Sequence, residues 1–292
     1  VNPEAEWVQR LTPWIVGAWF AVLLAAERQR PLRSVTQPRG RRYTVNALAV
    51  TLAVAVAAVT VGPAILAALA WSSRHDFGLL RWSGLPAPLA VPVTFLLLDL
   101  SFYYWHRLNH LVPVLWRFHN VHHIDPDVDT TTAFRFHVGE IACSALFRTV
   151  QIVLIGPSPI ILAGYEIVFL AGTVFHHSNL KLPVALERAL NRVFVTPRMH
   201  GVHHSVIRDE TNSNYSVVFR WWDALHRTLR LNVPQSRIRI GVAAYTRIED
   251  NSPVAVLLLP FRPQRDYWQT PDGQPSRSRP GSDPDCPQRL VE

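Results

Sequence analysis

The uncharged runs of the chain predict its architecture. Residues 11–26, 43–73 and 82–98 contain no Asp, Glu, Lys or Arg. The second run exceeds the roughly 20 apolar residues needed to cross a bilayer, and the other two approach that length. Two further apolar segments, 138–155 and 160–175, are joined by Gly156-Pro157-Ser158-Pro159, a strong turn signal, and read as a helical hairpin that returns to the side it left. Glu140, Arg148 and Glu166 interrupt this hairpin, which leaves a re-entrant pair open as an alternative to two full crossings. The pattern predicts an all-α integral membrane helical bundle of about 4–5 membrane segments, with Pro63 as the expected kink of the second. Residues 1–87 read as an N-terminal membrane region and 88–235 as the catalytic part. Residues 236–292 read as a C-terminal segment whose Pro, Arg, Asp, Ser and Gln content predicts a disordered tail from about residue 260.

Residues 184–194 alternate differently. Leu186, Ala189, Leu190, Val193 and Phe194 interleave with Glu187, Arg188, Asn191 and Arg192 at helical period, which predicts an amphipathic segment on the membrane surface or against a core.

Charge fixes orientation. Arg28, Arg30, Arg33, Arg39, Arg41 and Arg42 crowd the loop between the first two runs, whereas residues 72–88 carry only Arg74 and Arg81. The positive-inside rule therefore puts the first loop in the cytoplasm and gives the net charge of +8 a topological origin. No basic motif suited to a groove is present, so no nucleic acid is expected as a partner. With Cys143 and Cys286 as the only cysteines, neither a disulfide framework nor a cysteine metal cage is available. The first run is preceded by Glu4 and Glu6 rather than by a basic stretch, and reads as a membrane segment rather than a cleavable leader.

Against this background the histidines stand out. His106 and His110 form H-x-x-x-H, and His119, His122 and His123 form H-x-x-H-H; the second pattern returns at His200, His203 and His204. On a helix, residues three and four apart share a face, so each box presents imidazoles to one side. Eight such groups exceed what one four-coordinate ion uses, which points to two metals. All the boxes are predicted on the cytoplasmic side. Asp99, seven residues before His106 on the same helical face, is the candidate carboxylate for orienting these ligands. H-E-x-x-H, G-x-S-x-G and Walker sequences are absent, as are the Glu-x-x-His pairs of soluble di-iron bundles. The competing readings are a metal- or haem-binding membrane protein without enzymatic activity and a metal-dependent membrane hydrolase.

The ordered set His106-Arg-Leu-Asn-His110, His119-Asn-Val-His122-His123, Phe175-His-His177-Ser-Asn179 and Thr196-Pro-Arg-Met-His200-Gly-Val-His203-His204 resembles the fatty acid hydroxylase and sterol desaturase superfamily. Asn214-Tyr215 and Trp222-Asp223-Ala-Leu add to the likeness. The resemblance implies a helical membrane fold with a cytosolic histidine-rich cap. It also implies two iron ions, replaceable by zinc on purification, held by His106, His110, His119, His122, His123, His177, His200, His203 and His204. His137 and His176 are expected to support the site rather than ligate, and the role of His226 stays open. The implied reaction uses dioxygen as co-substrate to hydroxylate or desaturate a C–H bond of a lipid or sterol-like substrate, with hydroxylation preferred. The chain has no G-x-G-x-x-G and no cysteine cluster, so electrons are expected from a separate ferredoxin, cytochrome or flavoprotein reductase. Arg198, Arg208 and Arg220 are candidate docking residues for that donor.

Overall fold

The computed structural model describes residues 3–279 and Leu290. Among these the chain is all-helical, with isolated bridges but no strand. The long helices are α1 (Pro3–Gln29), α2 (Arg39–Val59), α3 (Val61–Arg74), α5 (Ala87–Leu111), α7 (Val138–Ile155) and α8 (Pro159–His177); a single turn, α4 (Leu79–Trp82), follows α3. Counting α2 to α4 as one run, five are long and apolar enough to cross a membrane, and the protein is a multi-pass membrane protein. Their side chains agree: Trp14, Val59 and Leu146 are each more than 70% exposed, a belt that only lipid could cover.

In the bundle α1 lies on α8, α3 lies on α7, and α5 touches both α7 and α8. Ala68, Leu69, Leu98, Ile152, Ile155, Leu162 and Tyr165 form its buried core. At one end of the bundle, Gly78 (φ 131°) meets Gly156 (φ 67°). A Cβ on Gly78 would sit 2.5 Å from the Gly156 Cα, so this crossing of two turns requires glycine.

The second span does not bend at Pro63 but parts at Thr60 (φ −121°, ψ −66°). The proline ring opposes the carbonyl four residues earlier, at Val59, and the break falls next to that carbonyl. The two halves then serve different surroundings. The beginning of α2 is built into the cap, where Arg42 is 1% exposed and bonds Asp125, Asp129 and Thr132, while Asn46 bonds Asp125 and Thr131. Arg135 joins the same network through Asn46 and Asn251. Burial raises the Asp125 pKa, but Arg42 and Arg135 outweigh it and hold the carboxyl below its ordinary value. Arg33 is likewise engaged, with Gln235 at 2.7 Å. The Arg-rich loop is thus a structural element as well as a charge marker.

The cap consists of α6 (Pro113–His123), α9 (Val184–Leu190), α10 (Pro197–His203), α11 (Arg208–Thr211), α12 (Trp221–Leu225), α13 (Pro253–Leu258) and the loops between them. Its core joins Val45 of α2 to Trp116, Val121, Ile124, Val242, Tyr245, Val256 and Leu259. The expected disordered tail departs from its composition here. Tyr267 and Trp268 pack on this core, Ser276 bonds the Val206 carbonyl, and Arg279 pairs with Glu210. Most of the remaining tail lies outside the described residues. Helix α9 buries Glu187 against Arg198 and leaves Leu186 and Arg188 exposed; beyond its end Asn191 is buried and Arg192 and Phe194 are exposed, so the segment does not divide into an apolar inside and a polar outside.

Candidate metal centre

Two prolines set the geometry of the centre. Val112, preceding Pro113, takes an extended conformation (φ −90°, ψ 114°), so α5 stops and α6 starts at a sharp corner. This turns His106 and His110, at the end of α5, toward His119 and His123 on α6. Pro197 opens α10, a two-turn helix that is buried throughout, and it brings His200, His203 and His204 in from the opposite side. Helix α8 ends at His177.

The nine expected histidines assemble into two groups. His106, His110, His119, His123 and His203 form one, and His122, His177, His200 and His204 the other; within each, one nitrogen per ring lies within 4.8 Å of all the others. Each H-x-x-H-H box feeds both groups. His122 and His123 are neighbours in sequence, yet their rings stand 86° apart and face different groups.

The nitrogens fit cations. Buried ring nitrogens of His110, His119, His123 and His203, all of the first group, have no hydrogen-bond partner among the described residues. In the second group the Nε2 atoms of His122 and His177 are 3.0 Å apart, those of His177 and His200 2.9 Å, and those of His200 and His204 3.1 Å. His177 Nδ1 faces the Thr173 carbonyl and must carry the proton, which leaves its Nε2 bare. No assignment of neutral tautomers then gives each of the three contacts its own hydrogen. A metal ion answers this arrangement. Burial, reinforced by neighbouring imidazoles, pushes His122, His123, His200, His203 and His204 well below the ordinary histidine pKa, toward the neutral form that binds metals.

Four rings are oriented through Nδ1. His119 bonds Glu140 at 2.9 Å, His177 the Thr173 carbonyl, His106 the Tyr215 carbonyl at 2.8 Å and His203 the Ser213 carbonyl at 2.7 Å. The last two acceptors belong to an extended strap, whose next alternate carbonyl, Val217, takes His176 Nδ1. Two buried aspartates pin the strap. Asp223 accepts the Tyr215 and Ser216 amides, and Asp99 accepts the Val218 and Phe219 amides, Trp222 Nε1 and the Tyr165 hydroxyl. Asn214, at φ 54°, ties the strap to Met199 and Arg230.

This corrects the expectation for Asp99. It bonds no histidine; it holds the backbone that holds them. The carboxylate in direct contact is Glu140, which the sequence offered only as a charge interrupting an apolar run. His137 caps α7 by accepting the Gly139 amide, and His226 bonds Tyr104 and the Trp222 carbonyl; neither joins the groups. His176 also stays outside them, with its ring 4.1 Å from His200. Arg198 is buried against Glu187, so it is not a free docking residue.

A cavity of about 330 Å³ runs from the histidines into the bundle. His106, His119, His122, His176, His177 and His200 line its inner end, and Val54, Phe102, Phe134, Phe169 and Leu170 line its apolar walls. Val54 is 60% exposed on the lipid-facing side, so the cavity borders the belt. A larger groove on the cap, about 850 Å³, contains none of the nine histidines.

Comparison with known proteins agrees with this site. The family described as fatty acid hydroxylase matches residues 91–228, the stretch that carries all nine histidines, Asp99 and the strap. Over these residues the chain resembles the fatty acid hydroxylase superfamily. Similar proteins include cholesterol 25-hydroxylase from Homo sapiens, 30% identical over 52% of this chain and 60% of that protein. Ornithine lipid hydroxylase from Rhizobium tropici is 28% identical over 76% of this chain and 68% of its own length. Alkylglycerol monooxygenase from Homo sapiens is 31% identical over 54% and 34%. The chain thus spans about 60% of the length of the first of these relatives. No solved structure matches it.

Proposed function

We propose that this protein is a membrane-bound di-iron monooxygenase that hydroxylates a C–H bond of a lipid. The observation that carries the reading is the meeting of nine imidazoles, in two groups, with an apolar cavity that opens toward the lipid-facing surface. The names of the relatives, three lipid or sterol oxidising enzymes, favour hydroxylation over desaturation. Two iron ions, when bound, supply the reductive activation of dioxygen.

The work of the chain itself is positional. The Nδ1 contacts to Glu140, Thr173, Ser213 and Tyr215 leave Nε2 of four rings free toward the groups and hold each ring at a fixed angle. The aromatic walls exclude water and hold a hydrocarbon segment beside the histidines, which turns a bimolecular encounter into an oriented one. Glu140 lines the cavity as well as bonding His119, so it can accept a proton near the centre. A separate ferredoxin, cytochrome or reductase supplies electrons from the cytoplasm, the side that the positive-inside rule favours for the arginines of residues 28–42 and hence for the cap.

Reconstitution with a reductase and candidate lipids under ¹⁸O-labelled dioxygen, read by mass spectrometry, tests this. One labelled oxygen atom in the product is expected. An unlabelled alkene would replace hydroxylation by desaturation, and absence of oxygen consumption with every lipid would leave a metal-binding protein without this activity.

A further inference from the structure

At the other end of the same cavity stand two charged side chains that the chemistry described so far does not use. Arg148 of α7 and Glu166 of α8 both line the wall, bond each other, and lie in segments that cross the apolar bundle. Arg148 is also bonded to Gln151, which is held by the Leu98 carbonyl and Ser101, and its guanidinium stacks over Phe102. The Arg148 side chain is 4% exposed, whereas that of Glu166 is 28% exposed. Glu166 Oε1 takes the bond from Arg148, and Oε2 takes none among the described residues.

A charged pair inside a bilayer is costly, and such a pair could be replaced by apolar side chains without loss of stability. We propose that Arg148 and Glu166 form a positioning site that binds a hydroxyl group of the lipid substrate and thereby sets which carbon reaches the histidines. This inference rests on the monooxygenase reading and gives it a substrate class: a neutral lipid with a hydrogen-bond-donating hydroxyl on an apolar body. Arg148 gives one N–H to Gln151 and one to Glu166, lays its face over Phe102 and is the more deeply buried of the two, so the group we take to be on offer is the more exposed acceptor, Glu166 Oε2. An anionic phosphate or carboxylate would meet the charge of Glu166, and an ammonium would have to be stripped of water at this depth. At 1.5 Å per residue, Arg148 lies ~12 Å along α7 from Glu140, and Glu166 lies ~16 Å along α8 from His177. The attacked carbon of a substrate anchored there lies at about that distance from its hydroxyl.

The test is equilibrium binding to the purified full chain in phosphatidylcholine nanodiscs. The probes are radiolabelled cholesterol and 1-hexadecanol, each beside its methyl ether, which keeps the shape but cannot donate. The wild-type protein is expected to prefer at least one alcohol over its ether by about tenfold, the effect of one buried hydrogen bond. In the Arg148→Met/Glu166→Leu double variant the preference should vanish while ether binding and melting temperature are retained. Glu166→Gln, a smaller change that keeps the ion-pair geometry neutral in shape, should reduce the preference. Equal binding of alcohol and ether by the wild-type protein, binding of neither alcohol, or a preference that survives in the folded double variant or is unchanged in Glu166→Gln overturns the proposal. Binding is read without turnover, so a protein that discriminates alcohol from ether but oxidises no lipid would count against the monooxygenase reading alone.

Discussion

A histidine suited to a metal is held at a fixed angle when its second nitrogen is engaged, and in this protein four of the nine rings are so held, by one carboxylate and three carbonyls. Glu140 is the carboxylate. Replacing it by Gln leaves an acceptor for His119 but removes the charge, and metal affinity should fall about 10–100-fold with the chain still folded. Metal content after dialysis against a graded chelator, beside a thermal melt, measures this; unchanged retention of metal would show that the contact is ornamental. The histidines themselves were legible because the H-x-x-H-H period is that of a helix. Glu140 was not, since it lies 21 residues from His119 in sequence and touches it only through the packing of α6 and α7. Asp99 was placed on the right face with the wrong partner. Seven residues along a helix is ~10 Å, too far for its carboxylate to touch His106, and close enough for it to pin the strap that does.

Among the elements, α2 shows how an apolar run conceals a division of labour. Its first turns belong to the cap through Arg42, and its later turns face lipid. Arg42→Gln leaves Asp125 and Asp129 buried with too few partners, and should destabilise the protein by about 3–5 kcal/mol, read as a lowered unfolding midpoint in detergent. A loss below about 1 kcal/mol would return Arg42 to the role of a topological charge. The run of apolar residues announced the span but not this network, because its acidic partners follow some 80 residues later. Similarly, helical period identified which residues of α9 share a side without saying which side faces inward. Glu187 decides it: its carboxylate receives the Arg198 amide at 2.9 Å at the start of α10, so Glu187 and Asn191 turn inward while Arg188 and Arg192 stay exposed.

For the whole molecule, the proposed orientation puts Ser34 and all the histidine boxes on the cytoplasmic side and Ser73 on the other. Both serines are exposed. Single cysteines at these positions, on a background without Cys143 and Cys286, should react with a membrane-impermeant maleimide from opposite sides of sealed vesicles; reaction from the same side would refute the positive-inside assignment. The spans were legible because a bilayer demands long uncharged runs wherever the chain goes. The ordered course of residues 260–279 was not, because composition reports local preference, whereas Trp268 and Arg279 are held by residues far away in sequence.

The interleaving of the two H-x-x-H-H boxes carries one more consequence. Helix α6 sends His119 and His123 to one group and His122 to the other, and the His200–His204 stretch sends His203 to the first and His200 and His204 to the second. A cation that settles in either group fixes both segments, and in doing so prepays the ordering of ligands for its neighbour. On the two-metal reading, loading is therefore expected to be cooperative and to favour the empty and the doubly filled protein over the half-filled one, which a metal titration would show.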